Sequence, residues 1–120
     1  MSISVSHASA DASVVQIAGE IGLTALLGDG QQFKEGDNAL DSGLRAAVPT
    51  PPPLVVLDLT DASYICSLGI GTLMRFRKSL AAQQADVRVA ATGRLVTLLK
   101  LGRLDQLLPV YPTVAEATKG

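Results

Sequence analysis

Hydrophobic and polar residues alternate at the start of the chain in a way that predicts a β-hairpin. Ile3 and Val5 are separated by serine, and a run rich in β-branched residues extends from Val14 to Ile21. Both patterns favour strands. The polar sequence between them, HASADAS, is typical of a turn. We therefore expect two antiparallel strands joined by this segment.

A continuous apolar run from Leu54 to Leu59 follows the sequence VPTPPP. Proline restricts its own backbone and keeps the preceding residue out of the helical region, so this linker is extended. An uninterrupted apolar run is typical of a strand that is covered on both faces. The spacing then becomes helical, with one apolar face made of Ile70, Leu73, Met74, Leu80 and Ala81.

The C-terminal third of the chain predicts three further elements. Val87–Ala91 has the composition of a short strand, and Arg94–Leu101 that of a helix ended by Gly102. LLPVYP is extended, and the spacing of Thr113 and Glu116 fits a capping box at the start of a last helix.

Residues 22–53 form the least regular part of the sequence, a variable segment that ends in the proline-rich linker. Glycine at 28, 30, 36 and 43 argues against one long helix, although a shorter helix fits Ala39 to Val48. We expect residues 1–120 to form a single α/β domain with a mixed sheet of four to five strands and about four helices.

The composition excludes several classes of function. A net charge of −1 argues against nucleic acid, although eight of the ten basic residues follow Asp61. That imbalance is explained by differing helix faces or by a basic contact surface. Cys66 and His7, each the single residue of its kind, do not make a zinc site. No signal peptide or membrane-spanning run is visible, so we expect a cytoplasmic protein without cofactor or metal.

Ser67 lies just before the helical pattern, where serine is a favoured N-cap worth about 1 kcal/mol. A bare cap does not explain the glycines that follow, because Gly69 and Gly71 each cost about 1 kcal/mol in a helix interior. They fit a first turn that approaches another backbone or leaves room for a partner. A phosphate on Ser67 would be tolerated at a helix N-terminus.

The sequence VVLDLTDASYICSLGIGTLMRFRKSL resembles the central segment of STAS domains, the fold of bacterial anti-sigma factor antagonists. Asp58, Leu59 and Thr60 match the end of the family's strand, and Ser67, Gly69, Ile70 and Gly71 match its loop and helix start. VVQIAGEI matches the second strand, and LGRLDQLLPVYPTVAEA is similar to the family's C-terminal segment. The resemblance covers most of the chain outside residues 22–53.

The resemblance implies a regulatory module that binds an anti-sigma factor, itself an ATP-dependent serine kinase. The kinase phosphorylates the serine that aligns with Ser67, the pair separates, and a metal-dependent phosphatase reverses the change. The predicted partner-binding residues are Asp58, Cys66, Leu68, Gly69, Gly71, Arg75 and Lys78. The last two are chosen because helical spacing places them on an exposed face.

The chain departs from the family pattern at three positions. Cys66 replaces the aspartate before the phosphorylated serine, Leu68 replaces the second serine, and Gly22 replaces an acidic residue after the second strand. These changes suit an alternative function, in which an unphosphorylated STAS domain is a permanent scaffold or an accessory subunit of a membrane transport ATPase.

Two other hypotheses have less support. A position near a helix N-terminus can make a thiol such as Cys66 reactive, but single cysteines are usually inert and buried. Catalysis has little basis, because no phosphate-binding loop is present and Ser67 has no candidate base except His7. Asp58 and Asp61 are better explained as residues that end a strand and shape a turn. We therefore predict that the protein is not an enzyme.

Overall fold

The computed structural model describes residues 1–27 and 38–119, which form one mixed sheet with helices on both faces. In chain order the elements are β1 (Ser2–Ser9), β2 (Ala12–Ile21), α1 (Leu23–Leu27), α2 (Ala39–Ala47), β3 (Leu54–Asp58), β4 (Ala62–Ile65), α3 (Ser67–Ala81), β5 (Asp86–Ala90), α4 (Arg94–Leu101), a 3-10 turn (Leu104–Gln106), β6 (Val110–Tyr111) and α5 (Val114–Lys119).

The strand order in the sheet is β1-β2-β3-β5-β6, with β4 paired to β2 beyond the end of β3. β1 and β2 are antiparallel, as the sequence predicted, and the other pairs are parallel. The first half of β2 pairs with β3 and its last residues, Gly19 to Ile21, pair with β4. After β3 the chain therefore continues as β4 alongside the end of β2, and β4 leads directly into α3.

The hairpin turn is shorter than the sequence predicted. The strands extend into HASADAS, and only Ala10 and Asp11 lie between them. The polar residues of this stretch belong to an edge strand that is exposed along nearly all its length, so their polarity reflects solvent rather than a turn. Ile3 is the half-buried residue of β1 and packs against the core.

The two faces of the sheet carry cores of different size. Val55, Leu57 and Leu73 belong to the large core between the sheet and helices α1–α4. Val56 belongs to a smaller core with Val14, Ala90 and Ala117, under α5. Successive strand residues point to opposite faces, so the uninterrupted apolar run in β3 follows from having a core on each side.

Several predicted details differ from the structure. The sheet has six strands rather than four to five, because β4 was not predicted. β4 has four residues, of which Ser63 and Tyr64 are exposed, so it shows neither alternation nor an apolar run. Ala81 is exposed rather than part of the apolar face of α3.

Within residues 22–53, helix α2 confirms the short helix predicted after Ala39, and α1 was not predicted. The argument from glycines 28, 30 and 36 lies outside the described residues.

The C-terminal elements agree with the predictions, but the explanation for Gly102 at the end of α4 is different. Gly102 ends α4, but its φ of −82° lies outside the left-handed region. A Cβ at this position would lie 2.7 Å from Ile70 Cδ1, so a larger residue would have to displace the end of the Ile70 side chain. The Glu116 backbone N–H donates to Thr113 Oγ1 over 3.1 Å, as half of the predicted capping box.

Candidate functional site

The loop from β4 into α3 is anchored to the end of β2. The Cys66 backbone N–H donates to the Ile21 carbonyl over 2.9 Å, and the Ile70 N–H donates to the Cys66 carbonyl over 3.0 Å. Cys66 is therefore the N-cap of α3, and its side chain makes no capping hydrogen bond. Ser67 is the first helical residue and is exposed. The alternative interpretation of Ser67 as an ordinary N-cap therefore does not hold, and the Ser67 hydroxyl is not needed to satisfy the free N–H groups at the start of the helix.

Asp58 organises the turn between β3 and β4. One oxygen of its carboxylate accepts hydrogen bonds from the Thr60 N–H over 3.0 Å and from the Thr60 hydroxyl over 2.6 Å. Asp61, at the end of the same turn, accepts a hydrogen bond from the Gln16 amide over 2.7 Å. Both carboxylates thus hold the loop that leads to Ser67, which agrees with a turn-shaping function rather than a catalytic pair.

Gly69 is buried and lies against the sheet. A Cβ on Gly69 would lie 2.8 Å from Ile65 Cγ1 and 3.2 Å from Ile21 Cγ2. Contacts of this length exclude an additional methyl group unless the isoleucines move. The space that Gly69 leaves is therefore filled by the protein's own core and is not available to a partner.

Gly71 lies two residues further along α3, is half-buried, and has room for a side-chain methyl group. The nearest atom to a Cβ built on Gly71 is Arg75 Nη1, at 3.9 Å, which is an ordinary contact distance. No packing requirement within the described residues explains this glycine, which costs about 1 kcal/mol relative to alanine in a helix interior. A glycine here is consistent with a surface on which a partner approaches the helix backbone closely.

The side chains beside Ser67 are more apolar than those of the family pattern. Cys66 and Leu68 are both half-buried and pack against the large core. In this environment the first turn of α3 offers an exposed hydroxyl flanked by two apolar groups. The Cys66 thiol has no hydrogen-bonded partner among the described residues, and the interpretation of this cysteine as inert stays untested.

A buried polar cluster connects α3 to the start of α2, and sequence analysis did not find it. The Thr72 side chain is fully buried, and its hydroxyl donates to the Leu68 carbonyl over 2.8 Å. The same oxygen accepts from Asn38 Nδ2 over 3.0 Å. Asn38 also caps α2 by accepting from the Asp41 N–H over 2.9 Å. The one sequence feature that indicates this cluster is an N-cap residue, Asn38, just before a predicted helix.

Arg75 and Lys78 differ in exposure, although helical spacing placed both on one exposed face. Lys78 is exposed, whereas Arg75 is half-buried in a cleft of about 270 Å³ between α2 and α3. The Arg75 guanidinium donates to Thr72 Oγ1 over 3.3 Å. The structure therefore brings Arg75 close to Gly71 and Thr72, while Lys78 lies further along the helix.

The described parts of the chain contain no group of three or more His, Cys, Asp and Glu side chains that could hold a metal ion. Residues 1–27 and 38–119 likewise contain no helix with the length and hydrophobicity needed to cross a bilayer.

Comparison with known proteins identifies the family of this fold. The family model for the STAS domain matches residues 9–117. A crystal structure of an anti-sigma factor antagonist from Mycobacterium paratuberculosis superposes with a TM-score of 0.80 at 26% identity, over 98% of this chain and 91% of that chain.

Two structures of the anti-sigma factor antagonist SpoIIAA also share the fold at 14% identity. The unphosphorylated form gives a TM-score of 0.69 over 98% of this chain and 94% of that chain. The phosphorylated form, from Bacillus, gives 0.63 over 98% and 97%. At this identity the likeness concerns the fold alone. The search of curated proteins found no match.

Proposed function

Because the chain belongs to the STAS domain family, we propose that it is a regulatory protein-binding module, an antagonist of an anti-sigma factor that is also a serine kinase. The similarity to the antagonist from Mycobacterium paratuberculosis supports this proposal, since it extends over nearly the whole of both chains. The module works in the cytoplasm by binding, without catalysis of its own.

Ser67 is the proposed phosphoacceptor. The observation that supports this assignment is its position as the exposed first residue of α3, one turn before Gly71. In the reaction the Ser67 oxygen bonds to the γ-phosphorus of ATP while the bond to the bridging oxygen breaks. ADP leaves and the hydroxyl proton passes to a base of the kinase. A metal-dependent phosphatase restores the hydroxyl by hydrolysis.

The proposed docking surface is the outer face of α3, defined by Ser67, Gly71, Arg75 and Lys78 together with the loop residue Cys66. Asp58, Leu68 and Gly69 act indirectly on this surface, because they hold the loop and pack the first turn against the sheet. A phosphate adds nearly two negative charges at the edge of the surface, so it would weaken a complex formed with the unmodified serine.

A second candidate is favoured by the residues that flank Ser67. Cys66 and Leu68 give the phosphoacceptor no acidic neighbour, and both are partly occupied in packing. This environment suits a STAS domain that is never phosphorylated and is a permanent scaffold or an accessory subunit of a membrane transport ATPase.

Phosphate transfer in a lysate of the native cells tests the proposal. The wild-type protein, Ser67→Ala and the matched control Ser79→Ala, an exposed serine of the same helix, are each incubated with labelled ATP. We expect the wild type and Ser79→Ala to be labelled equally and Ser67→Ala to stay unlabelled. Equal labelling of Ser67→Ala would place the modification elsewhere.

Capture of partners from the same lysate separates the two candidates. The immobilised, unmodified protein should retain an ATP-binding serine kinase, and added ATP should release it from the wild type but not from Ser67→Ala. Retention of a transport ATPase, unaffected by ATP in both proteins, would instead support the accessory-subunit function.

A further inference from the structure

Arg75 has more hydrogen-bond donors than the structure provides acceptors for. A guanidinium carries five N–H groups in a planar fork. One nitrogen, Nη2, donates to Thr72 Oγ1 over a long distance of 3.3 Å. Nε is buried and has no acceptor among the described residues. A buried donor without an acceptor costs about 1–3 kcal/mol, so this side chain is suited to an anion that arrives later.

The acidic side chain in the same cleft is already paired. Asp41 and Arg75 both line the cleft between α2 and α3. The Asp41 carboxylate, however, makes its ion pair with Arg45, over 2.8 Å. Within residues 1–27 and 38–119, Arg75 has no ion-pair partner. Among the described residues, the charge of Arg75 is therefore available to a group from outside the cleft.

The Arg75 side chain lies back along α3, over Gly71 and Thr72. Side chains on a helix lean toward its N-terminus, and Nη1 of Arg75 lies 3.9 Å from the position that a Cβ of Gly71 would take. Ser67 lies one turn before Gly71, and Cβ positions four residues apart are about 5–6 Å from each other. Because residue 71 is glycine, it has no side chain that would separate the guanidinium from Ser67.

We propose that the Arg75 guanidinium binds the phosphate carried by Ser67 and bridges the space over Gly71. This rests on the proposed function, because it takes Ser67 as the phosphoacceptor. Arginine pairs with phosphate through two parallel N–H···O bonds. A rotation of the guanidinium that releases Nη2 from Thr72 would let Nη1 and Nη2 donate together to the phosphate oxygens.

The bridge explains how the modification excludes a partner. In the unmodified protein, Arg75 Nη1 is the nearest described side-chain atom to the Gly71 position, and Arg75 is held by a long hydrogen bond to Thr72. In the phosphorylated protein, the guanidinium and the phosphate together fill the space over Gly71. Phosphorylation then closes the docking surface by shape as well as by charge, and this effect depends on an arginine four residues after the glycine.

The test uses full-length protein with phosphoserine incorporated at position 67 during translation, so that no kinase is required. The second pKa of the phosphate is measured by ³¹P NMR in the unsubstituted protein, Arg75→Gln, Arg75→Lys and the control Lys78→Gln. Phosphoserine has a second pKa near 6, which a nearby cation lowers. We expect Arg75→Gln to raise it by about 0.5, Arg75→Lys to give an intermediate value, and Lys78→Gln to leave it unchanged.

Equal pKa values in Arg75→Gln and the unsubstituted protein would overturn the bridge, as would equal shifts in Arg75→Gln and Lys78→Gln. The lysate experiment fails independently of this one. A protein that shows the Arg75 effect but is not labelled at Ser67 in lysate contradicts the proposed function alone. Labelling at Ser67 without the Arg75 effect contradicts the bridge alone.

Discussion

The inner and outer faces of α3 contain glycines two residues apart, and the two glycines have opposite surroundings. Gly69 faces the sheet, where Ile65 and Ile21 leave no room for a methyl group. Gly71 faces outward, where the nearest side-chain atom is 3.9 Å from the position that a Cβ would take. The inner glycine is explained by packing. The outer one is not, although it weakens the helix by about the same amount.

The two surroundings separate a glycine that the core explains from one that it does not. The glycine pair looks uniform in sequence, and both members were predicted to shape the approach of a partner. Of the two, only Gly71 lies on the outer side of the helix, together with Ser67 and Arg75. Ser67 is exposed, and Arg75 has a nitrogen, Nε, without an acceptor among the described residues. The partner surface is therefore expected on this side of the helix alone.

The largest effect is expected from a core residue on the inner face. Leu73 is fully buried, so Leu73→Ala removes packed methyl groups and leaves a cavity. We expect the free energy of unfolding, measured by urea denaturation, to fall by about 2–5 kcal/mol. The half-buried neighbour Met74 provides the control, and Met74→Ala should cost clearly less. Equal losses would show that the cost does not depend on how deeply the two side chains are buried.

Gly69→Ala tests the close contact directly. The new methyl group forces Ile65 and Ile21 apart, at a cost of about 1–3 kcal/mol that the higher helix propensity of alanine offsets by at most about 1 kcal/mol. We expect a net loss of about 1–2 kcal/mol in the free energy of unfolding. A variant as stable as the wild type would mean that the sheet adapts to the helix at little cost.

Gly71→Ala should have the opposite effect on stability. Because the new methyl group would make only an ordinary contact with Arg75, the free energy of unfolding is expected to rise by up to about 1 kcal/mol. If a partner occupies the space over Gly71, its affinity for the variant should fall about tenfold, corresponding to about 1.4 kcal/mol. Isothermal titration with the captured partner measures the affinity. Unchanged affinity would remove Gly71 from the docking surface.

Ser67→Ala is expected to have the smallest effect on stability. An N-cap serine would cost about 0.5–2 kcal/mol on this change, whereas an exposed first helical residue should alter stability by less than about 0.5 kcal/mol. Thr113→Ala is the matched control, because Thr113 does accept a hydrogen bond from a helix N–H. Thermal denaturation of both variants compares them. A loss of stability in Ser67→Ala as large as that in Thr113→Ala would indicate that Ser67 does cap the helix.

The sequence patterns predicted the α/β class, the order of the long elements and the apolar faces that build the core. They succeeded at β3 and α3 because a strand between two cores and a helix on one core have clear periods. They failed at β4, because its four residues show no strand pattern of their own and the strand is recognised by its parallel pairing with β2. The predicted hairpin turn was too long, because an exposed edge strand has the polar composition of a loop.

Less of the candidate site than of the fold could be predicted. The motif located Ser67 and the loop that carries it, since both lie in one continuous segment. The helical period gave the direction of Arg75 only roughly, because a long side chain can fold back along the helix and become half-buried. Asn38 and Thr72 are 34 residues apart, and the hydrogen bond between them follows from tertiary packing that no local pattern contains.

The intact mass of the protein purified from its native cells tests the central claim most directly, with fragment ions assigned across residues 62–75. We predict a population that carries one phosphate, located on Ser67, and that disappears when the partner kinase is deleted. A chain that stays unmodified while that kinase is active would contradict the switch and leave the outer face of α3 as a permanent binding surface.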